Sequence, residues 1–200
     1  MNIVAEYLSL MRRMPLAAAE ELHTRFGFSW RAIATAVPAP MMVTFADKGR
    51  LYEPAAAHGF PVWVSPVAVV DPERPEEIEA TDPLDVVQTG PFVDLVAFHP
   101  GYRNRFARRT GLAPVLGCIP PQYCDPDPVP VRRDVTDWLR AECDGLVILT
   151  HDPHETGRLL GRIAAIEAED PAHVAALRAC VMLPPYPPPS PPIFSVRRAA

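Results

Sequence analysis

The stretch VPVRRDVTDWLRAECDGLVIL, residues 129–149, decides the fold class. Its two ends are short runs of valine, leucine and isoleucine, which favour β-strands. Between them lies the helical segment VTDWLRAE. Asp134 or Thr136 can cap this helix, because either side chain can accept a hydrogen bond from a free amide at the helix start. The stretch therefore predicts a strand–helix–strand unit.

The segments before this unit are strand-like. MMVTFADKGRLYEP, residues 41–54, consists of two runs around a turn at Asp47-Lys48-Gly49, which is typical of a β-hairpin. FPVWVSPVAVV, residues 60–70, predicts a strand that is bent or interrupted at Pro66. LDVVQTGPFVDLVAF, residues 84–98, predicts two further strand pieces.

After the unit, residues 153–169 and 171–182 carry apolar stripes at helical spacing and are predicted to be helices. Hairpins and helices are thus mixed along the chain, and one strand–helix–strand unit lies among them. We predict an α+β fold, in which N-terminal helix-turn-helix-like helices are followed by a mixed sheet with C-terminal helices.

The chain divides into three predicted parts. Residues 1–40 form a helical module, residues 41–183 form the α+β body, and residues 184–200 form a proline-rich tail. Proline lacks the amide donor that a central strand needs. We therefore expect the tail to be extended, poorly packed and dispensable for folding.

The N-terminal module contains AEELHTRFGFSWRAIATAV, residues 19–37. Helices are expected over 15–26 and 29–37, because Gly27 can end the first and Ser29 can cap the second. Gly27 and Ile33 have the spacing of the DNA-reading helix-turn-helix motif. His23 departs from it, since a small residue is preferred at that position.

This motif supplies the candidate DNA-binding residues. Trp30, Arg31 and Thr35 would lie on the exposed side of the second helix, where Arg31 could contact guanine or phosphate. Lys48 and Arg50 would lie near the tip of the following hairpin, as in the wing of a winged helix. The alternative is a plain helical hairpin that leads into a sheet.

Composition sets limits on these interpretations. The 200 residues carry a formal net charge of -5, whereas general electrostatic nucleic-acid binders are basic. Any nucleic-acid contact must therefore use a local basic patch. The hydrophobic fraction of 48% predicts a folded core.

Four segments resemble a family of uncharacterised proteins encoded in proteobacterial prophages and mobile elements. They are VDLVAFHP, RRTGLAPVLG, VPVRRDVTDWLRAECDGLVIL and IEAEDPAHVAALR, and the similarity covers roughly residues 40–180. The resemblance implies a bacterial, cytoplasmic, mobile-element setting. It implies no activity and transfers no catalytic residue.

YRNRFARRTG, residues 102–111, interleaves basic and aromatic residues. Such a pattern can hold a nucleic-acid single strand by charge and stacking. In a strand, however, neighbouring residues face opposite sides, so the arginines would divide between two faces. The alternative is an arginine-rich edge strand that pairs with the acidic loop at 73–82.

An enzyme is the second hypothesis. THDPHET, residues 150–156, places His151, Asp152 and His154 after a strand, although Asp152-Pro153 also suits the start of a helix. Four carboxylates at predicted strand ends could hold Mg²⁺ in a nuclease; they are Asp71, Asp82, Asp85 and Asp94. The spacing of Cys118 and Cys124 matches no zinc signature, and we predict no cofactor and no metal site.

The cellular setting follows from what the sequence lacks. The N-terminus has no signal-peptide pattern, and no apolar run is long enough for a membrane span. The scattered cysteines favour reduced thiols in a cytoplasm. We predict a non-enzymatic accessory protein of a bacterial mobile element that binds DNA or a partner protein through its N-terminal helices. The alternative is a metal-dependent enzyme acting on nucleic acid.

Overall fold

The computed structural model describes residues 2–12, 14–36, 38–55, 58–68, 92–102, 105–117, 128–183 and 193–195. Three helices come first: α1 (Ile3–Met11), α2 (Leu16–Phe26) and α3 (Trp30–Ala36). Five strands follow: β1 (Ala39–Ala46), β2 (Leu51–Pro54), β3 (Phe60–Ala68), β4 (Phe92–Phe98) and β5 (Phe106–Arg108). The C-terminal part contains β6 (Val115–Leu116), β7 (Val129–Arg132), α4 (Val135–Arg140), β8 (Leu146–Ile148), α5 (Pro153–Leu160), β9 (Ile166–Ala168), α6 (Pro171–Val181) and β10 (Ile193–Ser195). This mixture confirms the predicted α+β class.

The first five strands form a closed barrel in the order β1-β2-β5-β4-β3. Four of its strand pairs are antiparallel, and β2 with β5 is a parallel pair in which Leu51 lies opposite Arg108. The predicted hairpin is confirmed, with a short 3-10 turn at Asp47–Gly49. Both of its strands belong to the barrel, so this hairpin is not the wing of a winged helix.

The remaining strands form a second sheet in the order β10-β9-β7-β8-β6. The predicted strand–helix–strand unit is confirmed, since β7 and β8 are parallel and α4 connects them. The Asp134 side chain caps α4 by accepting a hydrogen bond of 2.9 Å from the Asp137 amide. Gly145 follows α4 with a φ of +86°, and a Cβ there would lie 2.1 Å from the Pro130 carbonyl oxygen, so the turn into β8 requires glycine.

The strands β3 and β4 are buried on both faces. Val62, Val64, Leu95 and Ala97 point into the barrel, where Tyr7 of α1 packs with them. The alternate residues face a second core formed with α2, α3, α4 and β8; they include Trp63, Val96 and Phe98. Two-sided burial explains why these strands are mostly apolar instead of alternating with exposed polar residues.

The predicted turn between α2 and α3 is confirmed in its local detail. Gly27 ends α2 with a φ of 73°, and the Ser29 side chain accepts a hydrogen bond of 3.0 Å from the Ala32 amide. Leu22 and Ile33 pack in the same core. The buried side chain of α1, Tyr7, packs in the barrel core instead.

One prediction for the C-terminal part is wrong, and the predicted tail contains one short strand. Residues 153–169 are not one helix, because α5 ends at Leu160 and the chain then forms β9, whose Ile166 and Ala168 are buried beside β7. The tail is not wholly unpaired, because Ile193–Ser195 pairs in parallel with Ile166–Ala168. The apolar period of 153–169 continues through β9, which is why the sequence pattern suggested a single helix.

Two further predictions concern thiols and membranes. Cys143 and Cys180 are free thiols, whereas Cys118 and Cys124 lie outside the described residues. No helix in the described part of the chain is both long enough and apolar enough to cross a membrane.

His173 of α6 gives the fold a specific pH dependence. Its ring is buried, its Nδ1 atom lies 3.4 Å from the Glu169 amide, and burial together with Arg133 lowers its pKa to about 4. The unfolded chain therefore binds a proton before the folded one does. The free energy of unfolding should fall as pH drops from about 6.5 towards 4, by up to about 3 kcal/mol.

Urea denaturation across this pH range tests the prediction. His173→Gln should flatten the decline, because glutamine keeps an acceptor but does not titrate. His154→Gln, at an exposed position in the first turn of α5, is the matched control and should leave the decline in place. An identical decline in His173→Gln would show that the ring is not its source.

Candidate nucleic-acid interface

One cleft of about 730 Å³ lies at the rim of the barrel, and we call it the aromatic cleft. Its walls come from the end of β1, the β1–β2 turn, the start of β3, the end of β4 and the connection into β5, with one residue from the loop after β8. It is lined by Phe45, Lys48, Gly49, Arg50, Phe60, Pro61, Val62, Ala97, Phe98, His99, Tyr102, Arg105, Phe106 and His151. Its size is that of ordinary ligand pockets.

Three large aromatic side chains of the cleft are unusually exposed. Phe45 is 45% exposed, Phe60 63% and Tyr102 60%. The rings of Phe45 and Phe60 lie 5.6 Å apart, centroid to centroid, on the neighbouring strands β1 and β3. Exposed apolar groups that gather in one place mark binding surfaces, because leaving them in water has a cost that isolated residues do not share.

Basic side chains surround these rings. Lys48 and Arg50 come from the β1–β2 turn, and Arg105 lies with its guanidinium carbon 5.9 Å from the centroid of the Tyr102 ring. Lys48 has a φ of 57° and Gly49 a φ of 86°, so the turn is held in the left-handed region. Among the described residues, no Asp or Glu lines the cleft, and its charge is therefore positive.

Two histidines complete the lining. The His99 ring lies 4.8 Å from that of Tyr102, and its Nδ1 accepts a hydrogen bond from the Gly101 amide. The His151 ring stacks on Phe106 at 5.5 Å with an interplanar angle of 9°. Burial and the charges of Arg50 and Arg108 lower the pKa of His151, so the ring is neutral at neutral pH.

The arginines of the run 102–111 divide between the cleft and the fold, but not by the predicted alternation, because Arg105 precedes β5 and its neighbour Phe106 also lines the cleft. Arg105 lines the cleft, but Arg108 is committed to the backbone and donates to the carbonyls of Gly111 and Ala113 at 2.8 and 2.9 Å. Arg109 donates to the Glu6 carboxylate at 3.1 Å and so fastens α1 to the barrel. Arg103 lies outside the described residues, as does the acidic loop at 73–82.

The Asp94 carboxylate is occupied by the backbone. It is fully buried and accepts hydrogen bonds from the amides of Leu95, Arg109, Thr110 and Ala113. Its oxygens therefore organise the turn after β5. The other candidate carboxylates for Mg²⁺, Asp71, Asp82 and Asp85, lie outside the described residues.

The segment THDPHET starts a helix, as one of its two interpretations predicted. Asp152 caps α5 by accepting a hydrogen bond of 2.9 Å from the His154 amide. The hydroxyl of Thr150 donates to Glu155. Within the described ranges, no three His, Cys, Asp or Glu side chains are grouped so that they could hold a metal ion.

The candidate residues of the N-terminal module lie elsewhere. Trp30 is 48% exposed and stacks on His23 at 4.7 Å, and Thr35 is exposed. Arg31 is exposed too and lies 3.5 Å from Glu142. These three residues do not line the aromatic cleft, whereas Lys48 and Arg50 do. The sequence grouped all five, and the structure brings two of them together with the aromatic residues.

Strand proximity explains why sequence reasoning missed part of the cleft. Phe45 and Phe60 are ordinary apolar residues of predicted strands, and their exposure depends on which barrel face they occupy. Phe106 and Tyr102 were identified from the interleaved pattern, and His151 from its position after a strand.

Comparison of the chain with protein-family models, with curated proteins and with solved structures gave no match.

Asp94 can be tested as an anchor of the fold. Asp94→Ala should lower the free energy of unfolding by about 3 kcal/mol or more, because amides that lose a buried acceptor cost roughly 1–3 kcal/mol each. Urea denaturation measures the loss. Asp152→Ala, which removes an exposed helix cap, should cost only about 1 kcal/mol. An Asp94→Ala protein as stable as the wild type would contradict this anchoring role.

Proposed function

We propose that the chain binds single-stranded nucleic acid in the aromatic cleft. The observation that carries the proposal is the combination of three exposed rings with three cations in one cleft whose described lining has no carboxylate. Proteins that hold single strands combine aromatic platforms for the bases with positive charge along the backbone. Phe45, Phe60 and Tyr102 would stack on bases, and Lys48, Arg50 and Arg105 would contact phosphates.

The pairing order of the barrel supports this proposal. An OB-fold barrel has the same ring of four antiparallel pairs and one parallel pair if its strands are taken in the order 4, 5, 1, 2, 3. The turn between β1 and β2 then corresponds to the OB loop 4–5, and β4 with β5 to OB strands 2 and 3. OB-folds bind oligonucleotides at those positions. This is an analogy of connectivity, and the cleft residues carry the argument.

The single strand fits the site better than duplex DNA read by α3. That helix has seven residues, packs against the body through Ala32 and Ile33, and presents an arginine that already faces Glu142. The exposed aromatic rings of the cleft can stack only on bases that are not already stacked on one another, and the bases of a duplex are stacked. We therefore propose that nucleic acid contacts the aromatic cleft instead of α3.

The net charge of -5 agrees with a small local contact. Three cations that neutralise three phosphates give a slope of about -2 in a plot of log affinity against log salt, at roughly -0.7 per phosphate of a single strand. Binding of this size suits the non-enzymatic accessory role predicted above, and the sequence resemblance implies the mobile-element setting of that role.

Paired substitutions at the cleft and on α3 test the proposal. Phe60→Ala and Tyr102→Ala should each weaken binding of a fluorescent oligo(dT) by about 1–3 kcal/mol, roughly 5- to 150-fold in Kd, because each removes a stacking platform. Fluorescence anisotropy measures the affinity. Trp30→Ala, an exposed aromatic residue outside the cleft, is the matched control and should bind as the wild type does.

Two substitutions of cationic residues test the electrostatic part of the proposal. Lys48→Gln should reduce the salt slope by about 0.7, whereas Arg31→Gln should leave it unchanged. The reverse pattern, or a preference for duplex over single strand, would place the contact on α3 and contradict the cleft.

A further inference from the structure

His151 differs in origin from the other described residues of the aromatic cleft. The others lie between Phe45 and Phe106 in the barrel, whereas His151 follows β8 in the second sheet. Its ring is nearly parallel to that of Phe106 on β5. The stack therefore joins the barrel to the carboxyl end of a parallel strand, where loops commonly present binding residues.

The charges around His151 come from the β1–β2 turn, from β5 and from the start of α5. Arg50 and Asp47 lie in the β1–β2 turn, and Arg108 lies on β5. A smaller cavity beside the cleft shares Arg50 and His151 and is also lined by Asp152 and Glu155, which are engaged with the His154 amide and with Thr150. Lys48 and Arg105 line the cleft itself. The two arginines oppose a positive charge on the ring, and Asp47 favours one.

A bound phosphate reverses this balance. It places a negative charge near Arg50 and beside the ring, so it opposes burial and the repulsion by Arg50 and Arg108, which together lower the pKa of the imidazole. Both ring nitrogens of a protonated histidine are donors, and hydrogen bonds from charged donors to phosphate are among the strong ones. The imidazole is thus able to change from a stacked neutral ring to a phosphate-binding cation.

We propose that His151 is a binding residue of the aromatic cleft and that it takes up one proton from solvent when the phosphate backbone of a single strand binds. This inference rests on the proposed function of the same cleft. It adds a residue from the second sheet and makes the affinity depend on pH.

The sign of the pH dependence follows from linkage. Binding is coupled to proton uptake, so affinity rises as pH falls through the interval between the lowered pKa of the free protein and the higher pKa of the complex. Each pKa unit between the two states gives at most a tenfold change in Kd. We expect the wild type to bind roughly three- to tenfold more tightly near pH 5.5 than near pH 8.

Anisotropy titrations of the full chain with labelled oligo(dT) of about 12 nucleotides test this across that pH range. His151→Gln should lose the proton-linked gain. His151→Phe should keep the stack on Phe106 and should likewise lose the gain. His99→Gln, at the other cleft histidine, is the matched control and should retain it. The salt slope should steepen by about 0.7 at low pH in the wild type and in His99→Gln, and should not steepen in the two His151 variants.

The outcomes separate the two proposals. Absence of oligonucleotide binding by the wild type at every pH overturns the proposed function and this inference with it. Binding that weakens in Phe60→Ala, with the same pH dependence in wild type and His151→Gln, overturns the inference alone. Thermal unfolding of both His151 variants identifies any loss of fold, and either folded variant is sufficient for the comparison.

Discussion

The buried carboxylate of Asp94 holds together the part of the molecule on which the cleft depends. Asp94 lies on β4, and three of the four amides that it binds belong to residues 109–113, just after β5. This contact fixes where β5 ends, and β5 closes the barrel by a short parallel pairing with β2. Arg108 lies at that closure and reinforces it by donating to the carbonyls of Gly111 and Ala113. The strand β5 has three residues, so its backbone pairing with β2 and β4 supplies few hydrogen bonds. The side chains of Asp94 and Arg108 add to them.

The same closure determines which arginines remain for binding. Arg108 and Arg109 hold β5 and α1 in place, so among the described arginines of the run 102–111 Arg105 is the one that lines the cleft. Position along the chain is the physical reason, since Arg105 lies before β5 at the cleft, whereas Arg108 and Arg109 lie at the end of β5, where the barrel closes and α1 packs. A count of basic residues along the sequence therefore overstates the charge that the described part of this run brings to the cleft. The salt dependence of the proposed binding would measure how many cations contact phosphate.

Local features of the fold were predictable from sequence, and non-local ones were not. The β1–β2 hairpin, the α4 cap at Asp134 and the turn at Gly27 depend on residues within a few positions of one another, and the structure confirms each. Barrel closure, β9 and the pairing of 193–195 depend on partners far along the chain. A three-residue strand has too little periodicity to distinguish it from the end of a helix, which explains the error at 153–169.

The candidate site shows the same division between local and non-local information. The sequence indicated three parts of this site for separate reasons: Lys48 and Arg50, the segment around Tyr102 and Phe106, and His151. Lys48 and Arg50 were assigned to the wing of a DNA-binding helix module. The structure brings all three segments to one rim, because the β1–β2 turn and the β4–β5 connection lie at the same end of the barrel and the loop after β8 packs beside them. Charge, aromatic rings and a titratable ring thus meet only through the fold. This convergence of three distant segments is a stronger argument for a binding site than any one motif, since core packing does not require exposed rings and cations to gather in one place.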